Sequence, residues 1–161
     1  MPTMTRVPEL GPRGEGWVIL QVLLLGLTAI AGATGPAWGG DAGLLTSTAG
    51  AVLVLTGGAL AVRGAADLRS ALTPFPRPIE GAELVDRGAY GLVRHPIYSG
   101  IIMGATGWAL ITAAPAAFAG AATLLVLFDL KSRREEAWLA ERHPGYAAYQ
   151  RRVRKLLPGL Y

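Results

Sequence analysis

The chain has 161 residues, 52% hydrophobic and 16% charged, with no cysteine and a net charge of +4. Its positive mean hydropathy sets it apart from ordinary soluble domains, and the lack of cysteine excludes disulfides, thiolate metal sites and a cysteine nucleophile. The basic residues flank apolar segments without any nucleic-acid recognition motif, so anionic membrane lipids, not nucleic acid, are the counter-charge to expect.

The first element is Gly16 to Thr34, a 19-residue run without a charge in which Gln21 is the only strongly polar side chain. About 20 helical residues cross ~30 Å of hydrocarbon, so the run predicts a membrane span. Basic Arg6 and Arg13 precede it, as in a signal peptide, but the run exceeds a signal h-region and further spans follow, which favours a retained anchor. Residues 42–62 predict a second span, rich in Gly, Ala and Thr, whose small side chains suit close packing against a partner helix. The Gly57-Gly58 pair is a candidate soft point or kink.

The cytoplasmic loop 63–96 follows. Prolines at 74, 76 and 78 forbid a helix there and predict a stiff extended linker; Asp86 and Gly88 then signal a turn. Spans three and four, residues 97–112 and 116–130, are joined at Pro115 and predict a helical hairpin. Trp108 and Phe118 read as lipid-facing or packing residues, and Asp129 as an interfacial carboxylate paired with an arginine. Residues 131–161 predict a polar tail helix with an apolar stripe through Trp138, Leu139, Tyr146, Tyr149 and Val153, interrupted at His143-Pro144-Gly145 and lying on anionic lipid.

The fold class expected is therefore all-α: a single integral membrane domain of about four spans, with a C-terminal hairpin and an amphipathic tail. Orientation follows from the loops. The N-terminal arm, the central loop and the tail carry all the Lys and Arg, eight of them in the tail, whereas the two remaining loops carry none. The positive-inside rule then puts both termini and the central loop in the cytoplasm.

Two polar clusters fall on that side: Tyr90, Arg94, His95 and Tyr98 before span three, and Lys131, Arg133, Arg134, Glu135 and Glu136 after span four. Both lie at the open end of the hairpin, so residues far apart in sequence become neighbours. Each has an ordinary explanation alone: Arg94 as a topology anchor, the tyrosines as an interfacial belt, the glutamates as solvated pairs. His95 and His143 form no HxxxH or HExxH pattern, and there is no Ser-His-Asp set, GxGxxG or Walker loop.

LVDRGAYGLVRHPIYSG, followed about 35 residues later by RREEAWLAERHPGYAAYQRRVRKLLPG, resembles the isoprenylcysteine carboxyl methyltransferase family and its prokaryotic membrane homologues, which are related to phospholipid N-methyltransferases. The resemblance covers roughly residues 80 to 161 and rests on RHPxYxG, the hairpin and EExxL in order. It implies S-adenosylmethionine-dependent O- or N-methylation of a lipophilic small molecule or lipid in the bacterial inner membrane. Carried over by position, the cofactor contacts are Ala82, Glu83, Leu84, Val85, Tyr90, Arg94, His95, Pro96, Ile97, Tyr98 and Glu135. The family's substrate-contacting Arg is Lys131 here, with Arg133 or Arg134 as possible substitutes, and Glu136 or His95 would serve as base for an amine acceptor. A Lys acts as a point charge where an Arg grips bidentately, so the departure bears on the substrate. Two other readings remain open at this stage: an NADPH-dependent reductase of the sterol-reductase type, and a membrane adaptor without turnover. Oligomeric state is left open.

Overall fold

The computed structural model describes residues 7–36 and 38–161, and Arg6 lies outside the described residues. These residues form an all-helical bundle: α1 (Glu15–Ala33), α2 (Gly40–Leu68) with a 3-10 turn at Arg69–Ala71, α3 (Ala89–Leu92), α4 (Pro96–Thr112), α5 (Pro115–Arg142) and α6 (Tyr146–Arg152). Three of them, α1, α2 with its turn, and α5, are long and apolar enough to cross a membrane. With 17 residues, α4 rises about 25 Å at ~1.5 Å per residue, the short end of the spanning range. The chain is an integral membrane protein.

The partner of the glycine-rich second span is α4 of the same chain. Gly43, Gly50, Gly57 and Gly64 recur every seven residues along one face of α2 and are all buried. A Cβ on Gly50 would come within 2.6 Å of the Gly107 carbonyl, and one on Gly57 within 2.6 Å of the Gly100 carbonyl, so the two backbones touch as small-residue interfaces in lipid allow. The helix runs unbroken across Gly57-Gly58. Gly57→Leu is expected to destabilise the bundle by about 1–3 kcal/mol or more through overpacking. Gly58→Ala, where a Cβ would meet nothing within 4 Å, should leave thermal unfolding in detergent unchanged.

Beside α4 runs α5, and α1 packs on both. Ile102, Ala105, Ala121, Leu124, Phe128 and Leu156 form the core between them. At one end Trp38 Nε1 donates to the Leu110 carbonyl (2.5 Å). At the other lie the first turns of α1 and α4, the end of α2 and the middle of α5, and this end carries the polar residues.

Two helices run on beyond the spans expected of them, and the separate tail helix is corrected. The second span was placed at 42–62, but α2 continues to Leu68, helped by an i,i+4 pair between Arg63 and Asp67 (3.0 Å). The fourth was ended at Leu130, but α5 passes unbroken through the charged stretch to Arg142, where Pro144 forbids continuation. The tail is accordingly no separate surface helix. Its first third is α5, α6 spans only seven residues, and the remainder folds back on the bundle. There Arg154 and Lys155 carbonyls accept from the Arg94 and His95 amides (2.8 and 3.1 Å), and Asp129 accepts from Lys155 Nζ (2.6 Å) and the Tyr161 hydroxyl (2.7 Å).

The proline segment is not helical, as expected, but it bends through residues 74–77 instead of running extended, and it is tied down. Arg77 donates to the Pro12 carbonyl (3.0 Å), and the Arg13 guanidinium stacks 4.2 Å over Phe75. It forms a strap across the polar end of the bundle.

Candidate functional site

Pro96 opens α4 at its first turn, where a missing amide hydrogen costs nothing. This fixes His95 at the cap and Tyr98 one turn inside. On α5 the four-residue spacing puts Lys131 and Glu135 on one face, while Glu136 is turned about 100° away from Glu135 toward Arg94 and His95.

Glu136 is the hub of a buried polar network. Its carboxylate accepts from Arg94 Nε (2.8 Å), from His95 Nε2 (3.0 Å) and from Gln150 Nε2 (3.1 Å). Arg94 also donates to the Val153 and Gln150 carbonyls (2.5 and 3.2 Å). The side chains of Arg94 and Glu136 are each 11% exposed, and that of His95 4%. The carboxylate at Nε2 holds the imidazole in the form that carries a proton there, leaving Nδ1 directed toward Glu135 at 3.8 Å. The His95 ring lies parallel to that of Tyr98 (5.3 Å, 2°), which stacks in turn on Phe128 (4.7 Å). Tyr98 donates its hydroxyl to Glu135 (2.7 Å).

Two adjoining clefts open around this network, and Leu68, Thr73, Tyr90 and Glu135 line both. The first lies under the strap and is walled by Phe75, Pro76, Pro78 and Ile79, by 82–85, by Arg94 and Leu139, and by Tyr146 and Tyr149 of α6. Its cavity volume is about 80 Å³ and that of the second cleft about 310 Å³, so only the second reaches the usual range of small-molecule sites. Burial pushes the Tyr90, Tyr146 and Tyr149 hydroxyls far above the ordinary tyrosine range, so all three are neutral. Tyr149 donates to the Tyr90 carbonyl (2.7 Å), whereas the buried Tyr146 hydroxyl has no partner among the described residues.

The second cleft lies between α1 and α4 and is lined by Gln21, Leu72, Pro74, His95, Ile97, Tyr98 and Lys131. Lys131, 1% exposed, donates to the Gln21 side-chain oxygen (2.6 Å) and the Pro74 carbonyl (3.0 Å), and its ammonium lies 5.1 Å from the Tyr98 ring centre. Its hydrogen-bond partners are neutral. A buried cation whose hydrogen bonds go to neutral oxygens, with Glu135 as its charged neighbour one turn along α5, can receive an anionic group from the open cleft beside it.

The structure thus brings Ala82, Glu83, Leu84, Val85, Tyr90, Arg94 and Glu135 to the first cleft, and His95, Ile97, Tyr98 and Lys131 to the second. Pro96 lines neither; it packs on α2 where Gly64 leaves room. Glu136 lines neither and is saturated by its three donors. Arg133 is displaced from the site: it is exposed and pairs with Asp129 one turn earlier (2.7 Å). Arg134 faces α1's leading arm, pairing with Glu9 and stacking 4.2 Å over Trp138. Gln21, Thr73, Leu139, His143, Tyr146 and Tyr149 also line the clefts, although sequence reasoning assigned them no site role. A lone glutamine in an apolar span was the one available signal.

Residues 45–144 match the family model described as phospholipid methyltransferase. The matched stretch runs from within α2 to the turn after α5, and so includes the strap, the Arg94-His95 turn and the Glu pair. No curated protein and no solved structure matches the chain.

Proposed function

The chain belongs to the phospholipid methyltransferase family, and from that membership we propose that it is an S-adenosylmethionine-dependent methyltransferase that modifies a lipophilic acceptor carrying an anionic group. The observation that carries this reading is the pair of adjoining clefts, one under the strap and one between α1 and α4, that meet at Tyr90 and Glu135. Such a pair suits a polar cofactor entering from water and an amphipathic acceptor entering from lipid. The first cleft fits the cofactor chemically, with a carboxylate at Glu135, a neutral unpartnered hydroxyl at Tyr146 and an apolar wall. The bias of Lys and Arg supports placing this end in the cytoplasm, for a bacterial protein in the inner membrane.

When bound, S-adenosylmethionine supplies a methyl group on a sulfonium and therefore already activated. The chain's task is alignment and exclusion of water. Glu135, oriented by the Tyr98 hydroxyl, would hold polar groups of the cofactor where the clefts join; Lys131, steadied by Gln21, would hold the acceptor's anionic group. A carboxylate acceptor needs no base. For an amine, the group placed to take the proton is His95 Nδ1 or Glu135, because Glu136 is occupied by Arg94, His95 and Gln150. The isoprenylcysteine-type specificity implied by the motifs is one member of this acceptor class.

The test uses the full chain in lipid nanodiscs with methyl-labelled S-adenosylmethionine and a membrane lipid extract. Expected are saturable binding of S-adenosylhomocysteine and label in the organic phase. Binding of NADPH with no binding of S-adenosylhomocysteine would overturn the proposal in favour of a reductase.

A further inference from the structure

Two tyrosines of α6, one turn apart, face the first cleft and are used differently. Tyr149 is 3% exposed and spends its hydroxyl on the Tyr90 carbonyl, which ties α6 to α3. Tyr146 is 1% exposed and packs edge-on against Tyr149 (5.8 Å), yet among the described residues its buried oxygen has no hydrogen-bond partner. Buried hydroxyls are almost always satisfied, and an orphan in the wall of a cleft calls for a partner from outside the chain. Tyr146 lies beyond the stretch that matches the family model.

The surroundings say what kind of partner. Leu84 and Leu139 pack against the cluster of Tyr146, Tyr149 and Val153 and also line the cleft. Leu84 and Leu139 beside one neutral hydroxyl suit a flat heterocycle with its sugar, whereas the charged amino-acid tail of the cofactor finds better partners in the charged lining residues Arg94 and Glu135. A ligand seated between the strap and α6 would displace the side chains that now cover the oxygen. We propose that the Tyr146 hydroxyl binds the adenosine half of the cofactor, a role that rests on the methyltransferase reading above.

Tyr146→Phe removes one oxygen and nothing else. Binding of S-adenosylhomocysteine and of 5′-methylthioadenosine, which keeps the adenosine but lacks the amino-acid tail, is measured by calorimetry on the full chain in detergent, together with thermal unfolding without ligand. Expected is a weakening of both ligands by the same factor, about fivefold to tenfold, with ligand-free unfolding unchanged or raised because the orphan is gone. Tyr149→Phe is the counterpart, expected to lower ligand-free unfolding while leaving the ratio of the two affinities as in the wild type. Unchanged affinities in Tyr146→Phe, or weakening confined to S-adenosylhomocysteine, would overturn the proposal while the methyltransferase reading stands. A wild-type chain that binds neither ligand would instead remove the reading on which it rests.

Discussion

Glu136→Ala is expected to destabilise the protein by about 3–5 kcal/mol, because it leaves the buried Arg94 guanidinium without its counter-charge and a buried His95 N–H without its acceptor. The Arg94 guanidinium would keep only the Val153 and Gln150 carbonyls, and the proton on His95 Nε2 would lose its acceptor. Because Arg94 and His95 also receive the returning C-terminal segment through their amides, the loss should spread. Both clefts are expected to loosen, and binding of S-adenosylhomocysteine should fall although Glu136 lines neither. Glu136→Gln is the informative contrast. It keeps one acceptor oxygen, removes the charge and puts a donor amide beside Arg94 or Gln150, so its cost should fall between wild type and the alanine variant. Thermal unfolding and protease resistance in detergent measure both. An alanine variant as stable as wild type would remove the network from the account of the site.

What the sequence reveals of this architecture follows from which physical signals are local. The spans are legible because a long uncharged run has few alternatives, and α1 lies within one residue of its expected limits. The proximity of His95 and Tyr98 to Glu135 is legible too, since a hairpin necessarily brings the two clusters together. The extent of α5 is not. Charge beginning at Asp129 and Lys131 reports where hydrocarbon ends, whereas the helix ends where the backbone can no longer continue, at His143-Pro144, and polar residues with good helix propensity carry it between the two points.

Direction around a helix is equally hidden. Among Arg133, Arg134, Glu135 and Glu136, successive residues turn about 100°, so each faces a different neighbour: Asp129 on its own helix, Glu9 of the arm, Tyr98, and the Arg94-His95 turn. Sequence spacing places them on one helix but does not say which face meets α4. Tyr146 shows the same limit in another form. Its helical spacing with Tyr149 and Val153 reads as a stripe laid on lipid, and that stripe is buried in the protein instead.

Lys131→Met is expected to have opposite effects on stability and on turnover. In the folded protein this ammonium is 1% exposed and hydrogen-bonded to the Gln21 and Pro74 oxygens, and the Glu135 carboxylate one turn along α5 offsets only part of its desolvation. An apolar side chain of similar length removes that cost, and ligand-free thermal unfolding should be unchanged or raised. Acceptor recognition should suffer. An anionic group brought into the second cleft would meet no cation, a loss of about 2–5 kcal/mol by analogy with truncated buried charge pairs, or at least roughly thirtyfold in kcat/KM. The cofactor should bind as before, because Lys131 is not part of the first cleft. Lys131→Arg restores charge and adds a planar fork, so it should retain a carboxylate acceptor and shift preference among headgroups. Steady-state kinetics against anionic and zwitterionic lipids, with S-adenosylhomocysteine affinity measured in parallel, separates these effects. Should Lys131→Met weaken cofactor and acceptor together, or weaken neither, the assignment of the second cleft to an anionic acceptor is wrong.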